Sequence, residues 1–282
     1  MARCALSGAE VVDEALFQTD GEWYVPTALT TGPWRADAMH GGAPSALVGA
    51  IVSAVVAEDE LVARVQIDLE RPVPLDPLIG LLHRRQVSRR ISHLAIELST
   101  EEGRAVSARA LLTRRESIPV AAPEWSPPQP PADVAPMEWG HLYANSNPIF
   151  VRDAIEHRVV RGGYGVPVPS AAWLRLKVPV IDGIEPSALS QLLAVADFGS
   201  PLSQTNALGP GLALINLDVN ATVFRQPVGP WFFLDATGHA GPEGTGLAVT
   251  QVADLAGPIG VITQTQVVRH YAGPGSPAAA ES

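Results

Sequence analysis

Four short stretches of this chain carry side chains that could do chemistry. The first is His40-Gly41-Gly42, which opens the run HGGAPSALVGAIVSAVVA. Glycine lets another group come close to the backbone, and the first N–H groups of a helix have no partner within it. Such donors, with the helix dipole behind them, can polarise a carbonyl or hold an anion. The same three residues would also serve as a tight turn that lets a buried helix begin. The second stretch is AVADFGSPLSQ, where Asp197 closes an apolar run. A helix C-terminus disfavours negative charge, so an acid placed there has a reason to be there. The plain reason is a cap for the turn before Gly199. The third is LALINLDVNATVF, with Asn216 and Asp218, and the fourth is VITQTQVV, with Gln264 and Gln266. Amides on apolar strands serve as hydrogen-bonding side chains or merely face solvent.

The elements around these residues follow from periodicity. From His40 to Ala57 the chain has no charge, and Pro44 suits a first helical turn. Ile51, Val52, Val55 and Val56 are β-branched, but length and the proline favour a helix. It is apolar on every face, so it must be buried on every side. It is too short for a bilayer, which needs about 20 residues. A curved antiparallel sheet wrapped around it is the simplest solution. Leu61–Glu70 alternates apolar and polar residues and reads as a half-buried strand. Phe17–Leu29 reads as a hairpin turning at Thr19-Asp20-Gly21, and 78–87, 91–100 and 105–114 as further strands.

Residues 117–136 form a proline-rich connector, extended and stiff, between units expected at 14–116 and 137–271, with a tail at 272–282. In the second unit, 147–161 and 172–180 read as strands. Glu185–Asp197 reads as a helix with Pro186 in its first turn. Leu212–Phe224 reads as one long strand with Ile215, Leu217, Val219, Ala221 and Val223 on one face, opposite Asn216 and Asp218. Strands at 231–236, 246–253 and 260–270 follow. The order of elements repeats that of the first unit. Arg71 precedes Gly103 by 32 residues, and Arg225 precedes Gly257 by the same interval. Order and spacing together point to a duplication.

Composition narrows the function. The net charge of −10 in 282 residues argues against nucleic acid as the main partner. Lys177 is the only lysine beside 18 arginines, which reflects codon usage rather than function. Cys4 is the only cysteine, so neither an intrachain disulfide nor a cysteine metal site can form. The N-terminus lacks a basic region followed by an apolar run, so a cytoplasmic protein is expected. There is no G-x-S-x-G elbow, no H-x-x-x-H spacing, and Gly162-Gly163-Tyr164-Gly165 is no dinucleotide fingerprint. Arg84-Arg85 and Arg89-Arg90 form a small basic patch, either a solvated strand end or a contact for substrate phosphates.

With GPWRADAMHGGAPSALV in the first half, and AVADFGSPLS, INLDVNATVFRQP and GVITQTQVVR in the second, the chain resembles the TesB-like double-hotdog acyl-CoA thioesterases. The resemblance covers roughly residues 17–270. It implies an α+β fold: two antiparallel sheets, each wrapped around a central apolar helix, related by a pseudo-twofold duplication. It implies acyl-CoA as substrate, water attack on the thioester carbonyl, and no cofactor or metal. The family's aspartate falls on Asp197. Its glutamine, five residues before Arg269, falls on Gln264, and its hydroxyl residue falls on Asn216. That last position is a departure, since many members carry Thr or Ser there, although Asn can still donate and accept. The usual Arg-Pro pair is altered to Arg225-Gln226-Pro227. His40, Gly41 and Gly42 would bind the substrate or the oxyanion. A monomer and a homodimer both fit. One rival is a hotdog enoyl hydratase, which needs an acid beside His40 and finds only Asp37 in the sequence. The other is a non-catalytic acyl-CoA or lipid-binding protein.

Overall fold

The uncharged run after His40 does form a helix, α1 (Gly42–Ser53), and it is buried along most of its length. It ends short of Val55, which is exposed. The computed structural model describes residues 15–121, 124–125, 128–139, 147–204, 208 and 211–270. The expected tail at 272–282 lies outside these residues, as do parts of the connector.

The first half supplies β1 (Phe17–Asp20), β2 (Trp23–Pro26), β3 (Glu60–Leu69), β4 (Leu78–Ser88), β5 (Ile91–Thr100) and β6 (Gly103–Arg114). The second supplies β7 (Ile155–Arg161), β8 (Ser170–Leu176), helices α2 (Ala188–Ala196) and α3 (Gly199–Leu202), then β9 (Leu212–Asn216), β10 (Asp218–Val223), β11 (Phe232–Ala240), β12 (Thr245–Asp254) and β13 (Gly257–His270). Strand order is β1-β2-β4-β5-β6-β3-β10-β13-β12-β11-β8-β7, with β9 beside β13. Read from the middle outward, the two halves mirror each other. The pairing of β3 with β10, from Asp68 opposite Asp218 to Arg64 opposite Thr222, joins them into one sheet. One apolar core runs through both halves.

The duplication reaches individual bonds. Arg71 donates to Thr100 Oγ1 and to the Gly103 carbonyl. Arg225 donates to Asp254 and to the Gly257 carbonyl. Gly103 and Gly257 both sit at φ 123°, a backbone conformation that glycine tolerates.

Three of the differences from the sequence reading lie close to the site. Residues 150–154 form a single π-helical turn, so the strand expected from Asn147 begins only at Ile155. Helix α2 starts after Ser187, whose hydroxyl accepts the Ser190 N–H, so Pro186 lies before the cap rather than in the first turn. The long strand expected over 212–224 is broken at Leu217, with consequences for Asn216 given below.

Candidate active site

Helices α1 and α2 run antiparallel and very close together. A methyl group on Gly42 would stand 2.4 Å from the Ala194 carbonyl oxygen, and one on Gly41 2.8 Å from Oδ2 of Asp197. Only glycine permits that approach. The contact explains why an acid can stand at the C-cap of α2. The positive end of α1 faces it and offsets the negative end of its own helix.

Asp197 is almost fully buried, at 7% exposure. Asn216 Nδ2 donates to its Oδ1 at 2.6 Å, and Gln264 Nε2 donates to the same oxygen at 3.2 Å. These two donors offset the cost of burying the charge. Among the described residues no hydrogen bond reaches Oδ2, which faces Nδ1 of His40 at 3.4 Å. The structure therefore brings together Asp197, Asn216, Gln264, His40, Gly41 and Gly42 from both halves. Arg269 stays exposed at the end of β13, and Asp218 turns to the Thr265 N–H.

Asn216 reaches Asp197 because of a bulge. Asn216 pairs with Gln266, the Leu217 N–H donates to the Thr265 carbonyl, and Asp218 bonds the Thr265 N–H. Leu217 is thus an extra residue against β13. Strict alternation put Asn216 opposite Val219. The extra residue brings both inward and leaves Ile215 and Leu217 exposed. The same irregularity occurs in the first half, where Ala63 is unpaired between Val62 and Arg64.

His40 is held by aromatic rings. It stacks on Phe150 and on Phe198, with centroids 4.8 and 5.0 Å away. Burial lowers its pKa and the Asp197 charge opposes this, leaving the ring neutral near pH 7. Nδ1 accepts the Gly42 N–H at 3.0 Å, which places the ring proton on Nε2. Behind it, His157 packs edge-on against Phe198. Its Nε2 donates to the Val151 carbonyl, and its Nδ1 accepts the Tyr164 hydroxyl at 2.6 Å. Burial depresses the His157 pKa to about 3 and raises that of Tyr164. Phe150, Phe198 and His157 had no local signal in the sequence beyond the proximity of Phe198 to Asp197.

Other expectations resolve differently. Asp37 is exposed and pairs with Arg35, so the acid beside His40 is Asp197. The basic patch sits at the opposite end of α1, where Arg84 bonds the Val55 carbonyl and pairs with Glu60. Arg90 pairs with Glu116. Among the described residues, no group of three or more His, Cys, Asp and Glu could hold a metal ion. None of their helices is long and apolar enough to cross a membrane.

Comparison with known proteins agrees with this architecture. Residues 30–115 match the model of the acyl-CoA thioesterase N-terminal domain, and residues 121–268 match that of the acyl-CoA thioesterase C-terminal domain. Among solved structures, a putative thioesterase from Novosphingobium aromaticivorans is similar at 21% identity and a TM-score of 0.67, over 91% of this chain and 99% of that one. A hot dog protein of unknown function from Alicyclobacillus acidocaldarius is similar at 16% identity and 0.67, over 91% and 97%. The acyl-CoA thioesterase II TesB2 of Mycobacterium marinum gives 14% and 0.59, over 90% and 95%. At these identities the likeness is one of fold. No curated protein matches the sequence.

Proposed function

Because the chain belongs to the acyl-CoA thioesterase family of double-hotdog thioester hydrolases, we propose that it hydrolyses fatty acyl-CoA with Asp197 as general base. The observation that carries this is the buried Asp197 carboxylate, tethered through Oδ1 and, among the described residues, without a hydrogen-bond donor at Oδ2. Water bound at Oδ2 gives up a proton as its oxygen attacks the thioester carbon. The C–O bond forms, the C–S bond breaks, and the proton passes from Asp197 to the departing sulfur. Free acid and CoA result, with no covalent enzyme intermediate.

Asn216 and Gln264 act by holding the carboxylate in place. The developing oxyanion lies at the start of α1. There the Gly42 N–H is engaged by His40, and the Gly41 N–H has no acceptor among the described residues. In this reading residues 14–116 and 137–271 are the two hotdog units, joined by 117–136.

Thiol release across acyl-CoAs from short to long chain, in water enriched in oxygen-18, tests the reading. We expect thiol release with one heavy oxygen in the acid product. Binding of acyl-CoA without thiol release contradicts it and favours a binding protein.

The contact of His40 with Asp197 also favours a second reading, because a hotdog enoyl hydratase needs such a pair. A crotonyl-type thioester separates the two. Hydration removes its conjugated absorbance without freeing a thiol.

A further inference from the structure

An amide next to a carboxylate has two orientations of nearly equal shape, and only one is useful. With Nδ2 toward Asp197, Asn216 donates to the carboxylate. Turned over, it would set its own oxygen against Oδ1, acceptor against acceptor. Something must select between the two.

Gln266 stands directly opposite Asn216 in the β9–β13 pairing and is fully buried. Its Nε2 meets Asn216 Oδ1 at 3.4 Å and donates to Ser200 Oγ at 2.5 Å. The chain of roles is then forced. Asp197 only accepts, so Asn216 presents Nδ2 to it. That leaves Oδ1 for a donor, and Gln266 supplies one. Ser200, on α3, anchors Gln266 from the other side. The fold does not require this polar pair. The equivalent cross-strand pair in the first half, Val62 opposite Leu112, is apolar and buried.

Building on the hydrolase reading, we propose that Gln266 is a positioning residue that fixes the Asn216 amide with Nδ2 toward Asp197, itself held by Ser200. The role is tied to an amide at position 216. A hydroxyl there would rotate to donate and would need no such selection.

The test is a double-mutant cycle of Gln266→Met and Asn216→Thr, read by thiol release and by nitrogen-15 NMR of the Asn216 side-chain amide. In the natural background, Gln266→Met should lower kcat about tenfold, the loss of roughly one hydrogen bond, with KM changed less than about twofold. In the Asn216→Thr background the same change should cost less than about twofold. The NMR reading needs no turnover, so it stands even if the hydrolase reading fails. Gln266→Met should erase the downfield shift and slow exchange of the amide proton bonded to Asp197. An equal loss in both backgrounds would mark Gln266 as merely structural and overturn the proposal. An Asn216 amide signal unchanged by Gln266→Met would also overturn it.

Discussion

The two ends of the α1–α2 helix pair are the same place in the duplicated architecture and do different things. At one end the start of α1 meets the C-cap of α2, and there Asp197, Asn216, Gln264 and His40 converge. At the other the start of α2 meets the end of α1, and Ser187 Oγ bonds Ser53 Oγ at 2.8 Å. Sheet positions 154 residues apart carry Asn216, Gln264 and Gln266 at the first end, and Val62, Ala110 and Leu112 at the second. All three of the latter are buried and apolar. Duplication supplied two equivalent places, and among the described residues the first carries the buried carboxylate with its amides while the second carries a serine pair. The scaffold, bulge included, is common to both, so the two ends differ in a few inward-facing side chains, where our proposal puts the chemistry.

The comparison can be broken at its tightest point. Gly42→Val pushes a branched side chain into the Ala194 carbonyl and Phe150. We expect a loss of about 3 kcal/mol in chemical denaturation, together with loss of turnover. A variant of natural stability would show that the helices do not meet as described.

Acid sharpens it next. His40 and His157 flank the carboxylate end, and burial lowers the pKa of each. A buried neutral histidine binds its proton less readily folded than unfolded. Its stabilisation is therefore complete above pH 6.5 and is lost as pH falls toward the folded value, about 3 for His157. Below pH 6 the His157 contribution should fall by about 1.4 kcal/mol per pH unit. His157→Gln should flatten that slope. Denaturation midpoints between pH 7 and pH 4.5 would check it, and a slope unaffected by the substitution would contradict it.

The serine end gives the smallest effect. Ser187→Ala removes the cap of α2 and its bond to Ser53. It should cost about 1 kcal/mol of stability and leave kcat/KM within about twofold of natural. A large loss of activity would mean that the second end is not silent.

Much of this was legible in the sequence, for physical reasons. The alternation from Arg64 to Leu69, the uncharged run after His40 and the repeated Arg-to-Gly interval are local patterns that local forces obey, whereas the bulge at Ala63 turns Val62 inward in place of Leu61 and Ala63. Asp197 announced itself by standing where a helix dipole disfavours it. What resolves that conflict, the opposing end of α1, lies in the other half and leaves no local trace. The bulge at Leu217 was equally hidden. Its alternation looks continuous, and only pairing with β13 shows the extra residue that turns Asn216 inward. Proximity in sequence offers His40 only Asp37 as an acid partner, and the acid that faces it is Asp197, 157 positions along the chain. Gln266 looked no different from Gln264, because its role depends on what stands across from it.

The central claim is that one carboxylate, at one end of the helix pair, does the chemistry. Thiol release by Asp197→Asn tests it most directly, since asparagine keeps the shape and removes the base. The account predicts a fall in kcat of about 10²- to 10⁴-fold with an unchanged unfolding midpoint. Turnover within about threefold of the natural protein, from a folded variant, would contradict it.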